Sequence, residues 1–312
     1  MAARPDIVVP VLRAGILARQ FCERVAVANV EAVFDRCLYL RSGDDFVCIG
    51  EPDIGNGPLA LIADLAALPT PRSVAGQVAL ICGEQITIGN SVRLTLDQSE
   101  GWCPLAWPRP PSPERLADVG AVLASRAEIA APREGLLRCV IDRDETSRCS
   151  SPLERIARQR IILFERWLSR MLGARHASTV PSGGAVQGLI GLGPGLTPSG
   201  DDFLAGALAV LDALGERGAR TAMAHAIVDA LPGLTTPLSA RFLRATAAGH
   251  IGENLHRIAS FAMTGDGDAA ITVARKIGHS SGWDMIAGIL TTLWIVATRR
   301  TGSSATHAVA SS

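Results

Sequence analysis

The sequence predicts an α+β protein: an N-terminal antiparallel β domain, either a small sheet or a barrel, followed by a mainly α-helical C-terminal domain. Three observations carry this. Short apolar runs punctuated by Gly and Asn-Gly fill the first third of the chain, the spacing of strands and tight turns. Pro104, Pro108, Pro110, Pro111 and Pro113 then crowd into ten residues, too densely for a helix or a central strand. Beyond them the apolar period becomes helical. The expected organisation is a β-rich domain over residues 1–110, a helical domain with glycine-rich loops over 111–300, and a disordered tail over 301–312.

In chain order, residues 34–41 and 46–49 read as two strands flanking the polar turn 42–45, a hairpin. Residues 50–58 are rich in Gly and Pro and read as a loop, with Asn56-Gly57-Pro58 as a turn. Strands follow at 77–82, 85–88 and 91–96. After the prolines, Ser112-Pro113 and Ser151-Pro152 each set a capping hydroxyl before a proline at the first helical position. The second of these opens an amphipathic helix with Leu153, Ile156, Leu163, Trp167 and Met171 assigned to its apolar side and Gly173 at its end. Further helices are expected over 203–214, from Thr236-Pro237 towards Gly249, and over 283–298.

Composition narrows the function. Thirty Lys+Arg balance thirty Asp+Glu, and 48% of residues are hydrophobic, so the chain has a core and lacks the basic surplus of a nucleic-acid binder. Lys276 is the only lysine, which leaves one candidate for Schiff-base or P-loop chemistry. The seven cysteines are odd in number and contain no Cys-x-x-Cys pair, which argues against a disulfide framework or a structural zinc site. The N-terminus lacks the pattern of a signal peptide. The longest uncharged helical run, 285–298, falls short of the ~20 residues of a membrane span. These readings predict a soluble, cytoplasmic protein.

The chemistry concentrates in two segments. Seven glycines lie between Gly183 and Gly200, and Gly193, Pro194, Gly195, Thr197 and Pro198 form an irregular loop with exposed N–H groups. Ser199 reads as the N-cap of the next helix, with Asp202 completing a capping-box-like pair around Gly200. Such a loop feeding a helix start suits an anion. It is no P-loop, because Asp201-Asp202 stands where Lys-Ser/Thr belongs. The second segment, 277–288, repeats the pattern: His279 is a candidate acid/base, Ser280 a donor, and Ser281 with Asp284 has capping-box spacing. Both segments read Ser-Gly, then Asp within two residues, then an apolar helix bearing a glycine, and they are expected to line one pocket. Between them, Ser239 and Arg241 fall in the first turns of a helix, with Arg241 suited to clamp a carboxylate or phosphate.

The motif Gly-Leu-Gly-Pro-Gly-Leu-Thr-Pro-Ser-Gly-Asp-Asp-Phe-Leu at 191–204, with Thr-Pro-Leu-Ser-Ala at 236–240 and Gly-His-Ser-Ser-Gly-Trp-Asp at 278–284, resembles the bacterial domain-of-unknown-function family that includes one subunit of the oxamate carbamoyltransferase of anaerobic allantoin degradation. The resemblance implies a subunit that works with two larger partner subunits. Together they move a carbamoyl group from carbamoyl phosphate to oxamate, giving oxalurate and phosphate. Transfer asks for an anion cradle, donors to the carbamoyl oxygen and a base near the attacking nitrogen. Gly193, Gly195, Thr197, Ser199, Gly200, Arg241, Ser280, Ser281 and Asp284 are the candidate substrate-binding residues, and Asp202, His279 and Asp201 the candidate catalytic ones. No cofactor is required by this reading. Two alternatives stay open: a hydrolase in which Asp201, Asp202, Asp284 and His279 ligate a divalent metal, and a non-catalytic scaffold that binds a small anion.

Overall fold

The structure is a computed structural model and describes residues 7–65, 74–90, 92–132, 134–142, 152–173 and 183–302. Packing divides the chain into two compact units, one comprising Met1–Leu105 with His250–Asn254, the other Ala106–Gly249 with Leu255–Ser312.

The first unit is built from β1 (Ile7–Gly15), α1 (Ile16–Arg24), β2 (Val27–Val33), β3 (Cys37–Ser42), β4 (Asp45–Gly50), β5 (Ala60–Ala63), β6 (Val78–Cys82), β7 (Gln85–Ile88), β8 (Val92–Thr95) and β9 (Glu100–Trp102). The strand order is β5-β4-β3-β2-β6-β7-β8-β1-β9, and β5 also pairs with β1. Eight strands therefore close into a ring with β9 added beside β1, which settles the choice between sheet and barrel. Closure leaves the ring without a free edge. Strand positions alternate: Leu38, Leu40, Val47, Ile49, Ile86, Ile88, Val92 and Leu94 fill the interior with Phe21 of α1. Most pairings are antiparallel, as expected, but β1–β8, β1–β9 and β4–β5 are parallel. The β3–β4 hairpin turns at Gly43-Asp44, where Ser42 faces Asp45 and Gly43 takes φ +60°. Strands β1, β2, β5 and β9 and helix α1 were outside the sequence expectation. Pro10 within β1 removes a ladder donor and sits next to a bulge at Val11/Arg13, so the segment lacks an unbroken strand pattern.

The second unit contains α2 (Pro113–Ala130), α3 (Leu137–Ile141), α4 (Pro152–Gly173), α5 (Gly184–Gln187), α6 (Ser199–Ala213), α7 (Arg217–Ala230), α8 (Pro237–Ala247), α9 (Glu253–Thr264, whose first two residues group with the barrel unit), α10 (Gly267–Ala274) and α11 (Ser281–Thr301). Pro113 opens α2 with Ser112 at its N-cap, although that hydroxyl makes no capping bond. Ser151, the expected cap of α4, lies outside the described residues, as do Cys149 and residues 303–312 of the expected tail. The buried stripe of α4 is Ala157, Ile161, Phe164, Trp167, Leu168 and Met171. Leu153, Ile156 and Leu163 are exposed, a correction to the expected face. Alanine in the stripe reads as neutral, so the larger aliphatic residues on the opposite side drew the assignment.

Helices α6 and α11 form the centre. Every residue of α6 except Asp212 is buried, as befits a helix apolar all round. Helix α11 is long and apolar enough to cross a membrane, yet 72% of its apolar window is packed inside the protein. The two approach to backbone contact through glycine. A Cβ at Gly288 would lie 1.9 Å from the Phe203 carbonyl oxygen, and one at Gly206 would lie 2.1 Å from that of Met285. Only hydrogen fits at these two positions, and their closeness brings together the first turns of both helices.

Candidate functional site

Both glycine-rich segments meet where α6 and α11 begin. The 191–198 loop holds Gly191, Gly193 and Gly195 at positive φ and delivers Pro198 as the N-cap of α6. Ser199 is thus the first helical residue rather than the cap. Ser280 is the N-cap of α11, and Ser281 is its first residue. Neither N-cap side chain makes a capping bond, so the expected capping boxes do not form.

The hydroxyls and carboxyls are instead exchanged between the helices. The Asp202 carboxyl lies beside the hydroxyls of Ser281, from α11, and Thr197, which favour its charged form. Asp284, on α11, lies beside the hydroxyls of Ser199, from α6, and Ser280, which act on it in the same way. Thr197 Oγ1 and Ser281 Oγ lie 3.1 Å apart, joining the two loops directly. A spacing rule that looks along one helix identifies these residue types but cannot see that the partner comes from the helix alongside.

The acids differ sharply in role. Asp201 has both oxygens engaged: Oδ1 accepts the Gly191 N–H at 2.8 Å, and Oδ2 accepts the hydroxyls of Ser239, at 2.6 Å, and Thr235. It ties the glycine loop to the start of α8, where Thr236 Oγ1 accepts the Ser239 N–H and donates to the Leu196 carbonyl. Burial raises the Asp201 carboxyl above its ordinary value, with these hydrogen bonds pulling the other way. Asp202 is 7% exposed, and its Oδ2 has no hydrogen-bond partner. Burial holds its carboxyl well above the usual range, assisted by the charges of Asp284 and Asp201 and opposed by the Ser281 and Thr197 hydroxyls. Asp284 is fully buried; its Oδ1 accepts the Leu136 N–H at 2.6 Å, and its Oδ2 is likewise bare.

Burial pushes the Asp284 carboxyl up from 3.8 to about 6. Between those values the folded chain binds more protons than the unfolded one. The residue's contribution to stability is therefore complete below about pH 4 and is lost as pH rises through about 6. At pH 7 the shift corresponds to a destabilisation of ~3 kcal/mol. Asp284→Asn, which keeps an oxygen for the Leu136 N–H, should raise Tm at pH 7 and barely change it at pH 4. Equal changes at both pH values in thermal denaturation would contradict this assignment.

The remaining candidates separate. His279 is a surface residue with its side chain 81% exposed and its Nε2 3.8 Å from Glu134, so it does not join the buried acids. Arg241 is half-buried on α8, two residues beyond Ser239. Gly200 packs against the Leu189 carbonyl, where a Cβ would lie 1.9 Å from the oxygen. Asp201, Asp202, Asp284 and His279 do not form one ligand set, and among the described residues no group of three or more His, Cys, Asp or Glu has metal-ligating geometry. Thr235 and the Gly135-Leu136 backbone were missed by the sequence reading. The glycines at 206 and 288 had a visible signal, since each follows its aspartate by one turn in Asp-x-x-x-Gly.

Two helix starts and the hydroxyls of Thr197, Ser199, Ser280 and Ser281 thus converge, and helix starts favour negative charge. Residues 189–293, which span the glycine loop, α8 and the start of α11, match the family model described as oxamate carbamoyltransferase subunit AllH. No solved structure matches the chain.

Proposed function

We propose, from the match of residues 189–293 to the family model described as oxamate carbamoyltransferase subunit AllH, that this chain serves a cytoplasmic complex transferring a carbamoyl group from carbamoyl phosphate to oxamate. A subunit works within an assembly, and two larger partner subunits complete this one. The exchanged pairing at the starts of α6 and α11 is the observation that carries the reading, because it sets anion donors beside an acid able to hold a proton.

In the reaction the oxamate amide nitrogen attacks the carbamoyl carbon, and the bond to the phosphate oxygen breaks. One proton leaves the nitrogen and one reaches the phosphate, so no net proton is consumed. The N–H groups near Gly193 and Gly195 bind the anionic substrate together with the hydroxyls of Thr197 and Ser281, while the Gly200 N–H stays engaged with the Leu192 carbonyl at 2.8 Å. Arg241 supplies a cation to it, and Asp284 holds Ser199 and Ser280 in place. Asp202 manages the moving proton through its hydroxyl partners. Asp201, with both oxygens engaged, shapes the loop, and exposed His279 takes no part in the step.

The test is an assay of phosphate release and oxalurate formation by the chain alone and by the complex purified with its partners. Turnover should appear in the complex and be slight in the chain. An inactive complete complex would refute the reaction, and full turnover by the isolated chain would refute the need for partners.

A further inference from the structure

We infer that the joined Thr197–Ser281 hydroxyl pair holds a small oxyanion because a proton kept on the Asp202 carboxyl leaves the pair one outward-pointing donor. Asp202 is thereby a positioning residue for anion binding, in addition to any part in turnover. The inference deepens the carbamoyl-transfer reading by assigning the phosphate or carboxylate end of a substrate to this spot, and it rests on that reading only for the identity of the natural ligand.

Two features of the helix starts conflict. Two helix starts favour an anion, yet two buried aspartates stand in their first turns. A hydroxyl has one proton to give. If Asp202 were ionised, the pair would run its protons inward, one hydroxyl donating to the other and that one to the carboxylate, and would present lone pairs outward, a surface that repels an oxyanion. If Asp202 is protonated, its O–H donates to one hydroxyl, that hydroxyl donates to the other across the 3.1 Å contact, and the second passes its proton to a ligand. Both hydroxyls are half-buried and lie 3.1 Å apart, close enough to act on one ligand.

The geometry favours the second state. Oδ2 of Asp202 and Oδ2 of Asp284 are both buried without a hydrogen-bond partner. Two bare, ionised carboxylates this deep would each forfeit the stabilisation of water with nothing in return. A proton on Asp202 removes one of the charges and provides a donor. The groups acting on Asp202 are Asp284 from α11 and Asp201 beside it, both acidic. Of the other charges on the packed helices, Arg241 and Arg244 follow Ser239 on α8. Arg220 of α7 pairs with Asp212 farther along α6, and Arg300 of α11 pairs with Glu216. The field at Asp202 is therefore dominated by acids.

The experiment is calorimetric titration of the full chain with sulfate, whose charge is constant from pH 5.5 to 9. Wild-type affinity should fall tenfold or more as the pH is raised and Asp202 loses its proton. Asp202→Ala should weaken binding at least tenfold at pH 6. Asp202→Asn, neutral throughout and able to donate, should restore most of that affinity and lose it less steeply with pH than wild type, keeping only the loss that the ionising Asp284 causes near pH 6. Ser281→Ala should weaken binding roughly tenfold, the loss of a hydrogen bond to a charged ligand. The inference is overturned if wild type binds no sulfate, if its affinity is independent of pH, or if the Asn variant binds as poorly as the Ala variant. It is also overturned if magnesium or ammonium, added as chlorides, binds in place of sulfate and Asp202→Asn abolishes that binding. Failure of the oxamate reading would look different: the sulfate pattern would hold while the complete complex remained inactive on carbamoyl phosphate and oxamate.

Discussion

Asp202→Asn in the assembled complex should lower turnover by roughly 10²–10⁴-fold while the subunit stays folded. The amide preserves the shape of the carboxyl and can donate to Ser281 or Thr197, so the anion end of the substrate keeps its contacts. What it loses is the capacity to take and return a proton. The proposed reaction moves one proton from the oxamate amide to phosphate, and the defect should accordingly appear in kcat far more than in the KM for carbamoyl phosphate. Steady-state measurement of phosphate release gives both constants. An Asn variant with wild-type kcat would reduce Asp202 to a positioning role and leave the chain as an anion-binding scaffold for partners that do the chemistry.

The second large effect is expected at a residue without a functional group. Gly288→Ala places a Cβ 1.9 Å from the Phe203 carbonyl oxygen, and Gly206→Ala places one 2.1 Å from that of Met285. Backbone has to move at either position, since the obstacle is not the flexible end of a side chain. Gly288→Ala should destabilise the chain by about 1–3 kcal/mol, lowering Tm by several degrees. Separating α6 from α11 should also pull Thr197 away from Ser281 and weaken sulfate binding. Gly218 in α7 is the control: an added Cβ there meets nothing within 4 Å, and Ala should be neutral or slightly stabilising. Similar Tm losses at Gly218 and Gly288 would show that the close approach of the two central helices is not what these glycines provide.

The contrast between these predictions shows what sequence reasoning reaches. Period-two alternation and glycine turns identified the β3–β4 hairpin and strands β6, β7 and β8, because strand and turn are both local there. The first strand was hidden by Pro10, and its parallel pairing with β8 joins residues some eighty positions apart. In the helical unit, Pro and Ser/Thr marked the starts of α2 and α8. Trp167 and Met171 of the expected α4 stripe are buried, but Leu153, Ile156 and Leu163 were misassigned because Ala157 counts for little in a hydrophobic pattern yet lies fully buried.

The candidate site was legible in composition and obscure in pairing. Matching Ser-Gly, Asp and helical glycine patterns suggested that two helix starts work together, and Thr197 and Ser281 do lie within hydrogen-bond distance. Their capping boxes were assigned within each helix, whereas the structure exchanges them between helices. Asp201 and Asp202 are neighbours in sequence, but the turn of the helix directs one to α8 and the other to α11. That divergence gives two adjacent acids different partners, and only the packed neighbours reveal it.

The most direct measurement is a crystal of the full chain grown with selenate and examined at the selenium edge. An anomalous peak is expected within hydrogen-bond distance of the Thr197 and Ser281 hydroxyls, at the joined starts of α6 and α11. A peak at another surface, with none at these hydroxyls, would contradict it.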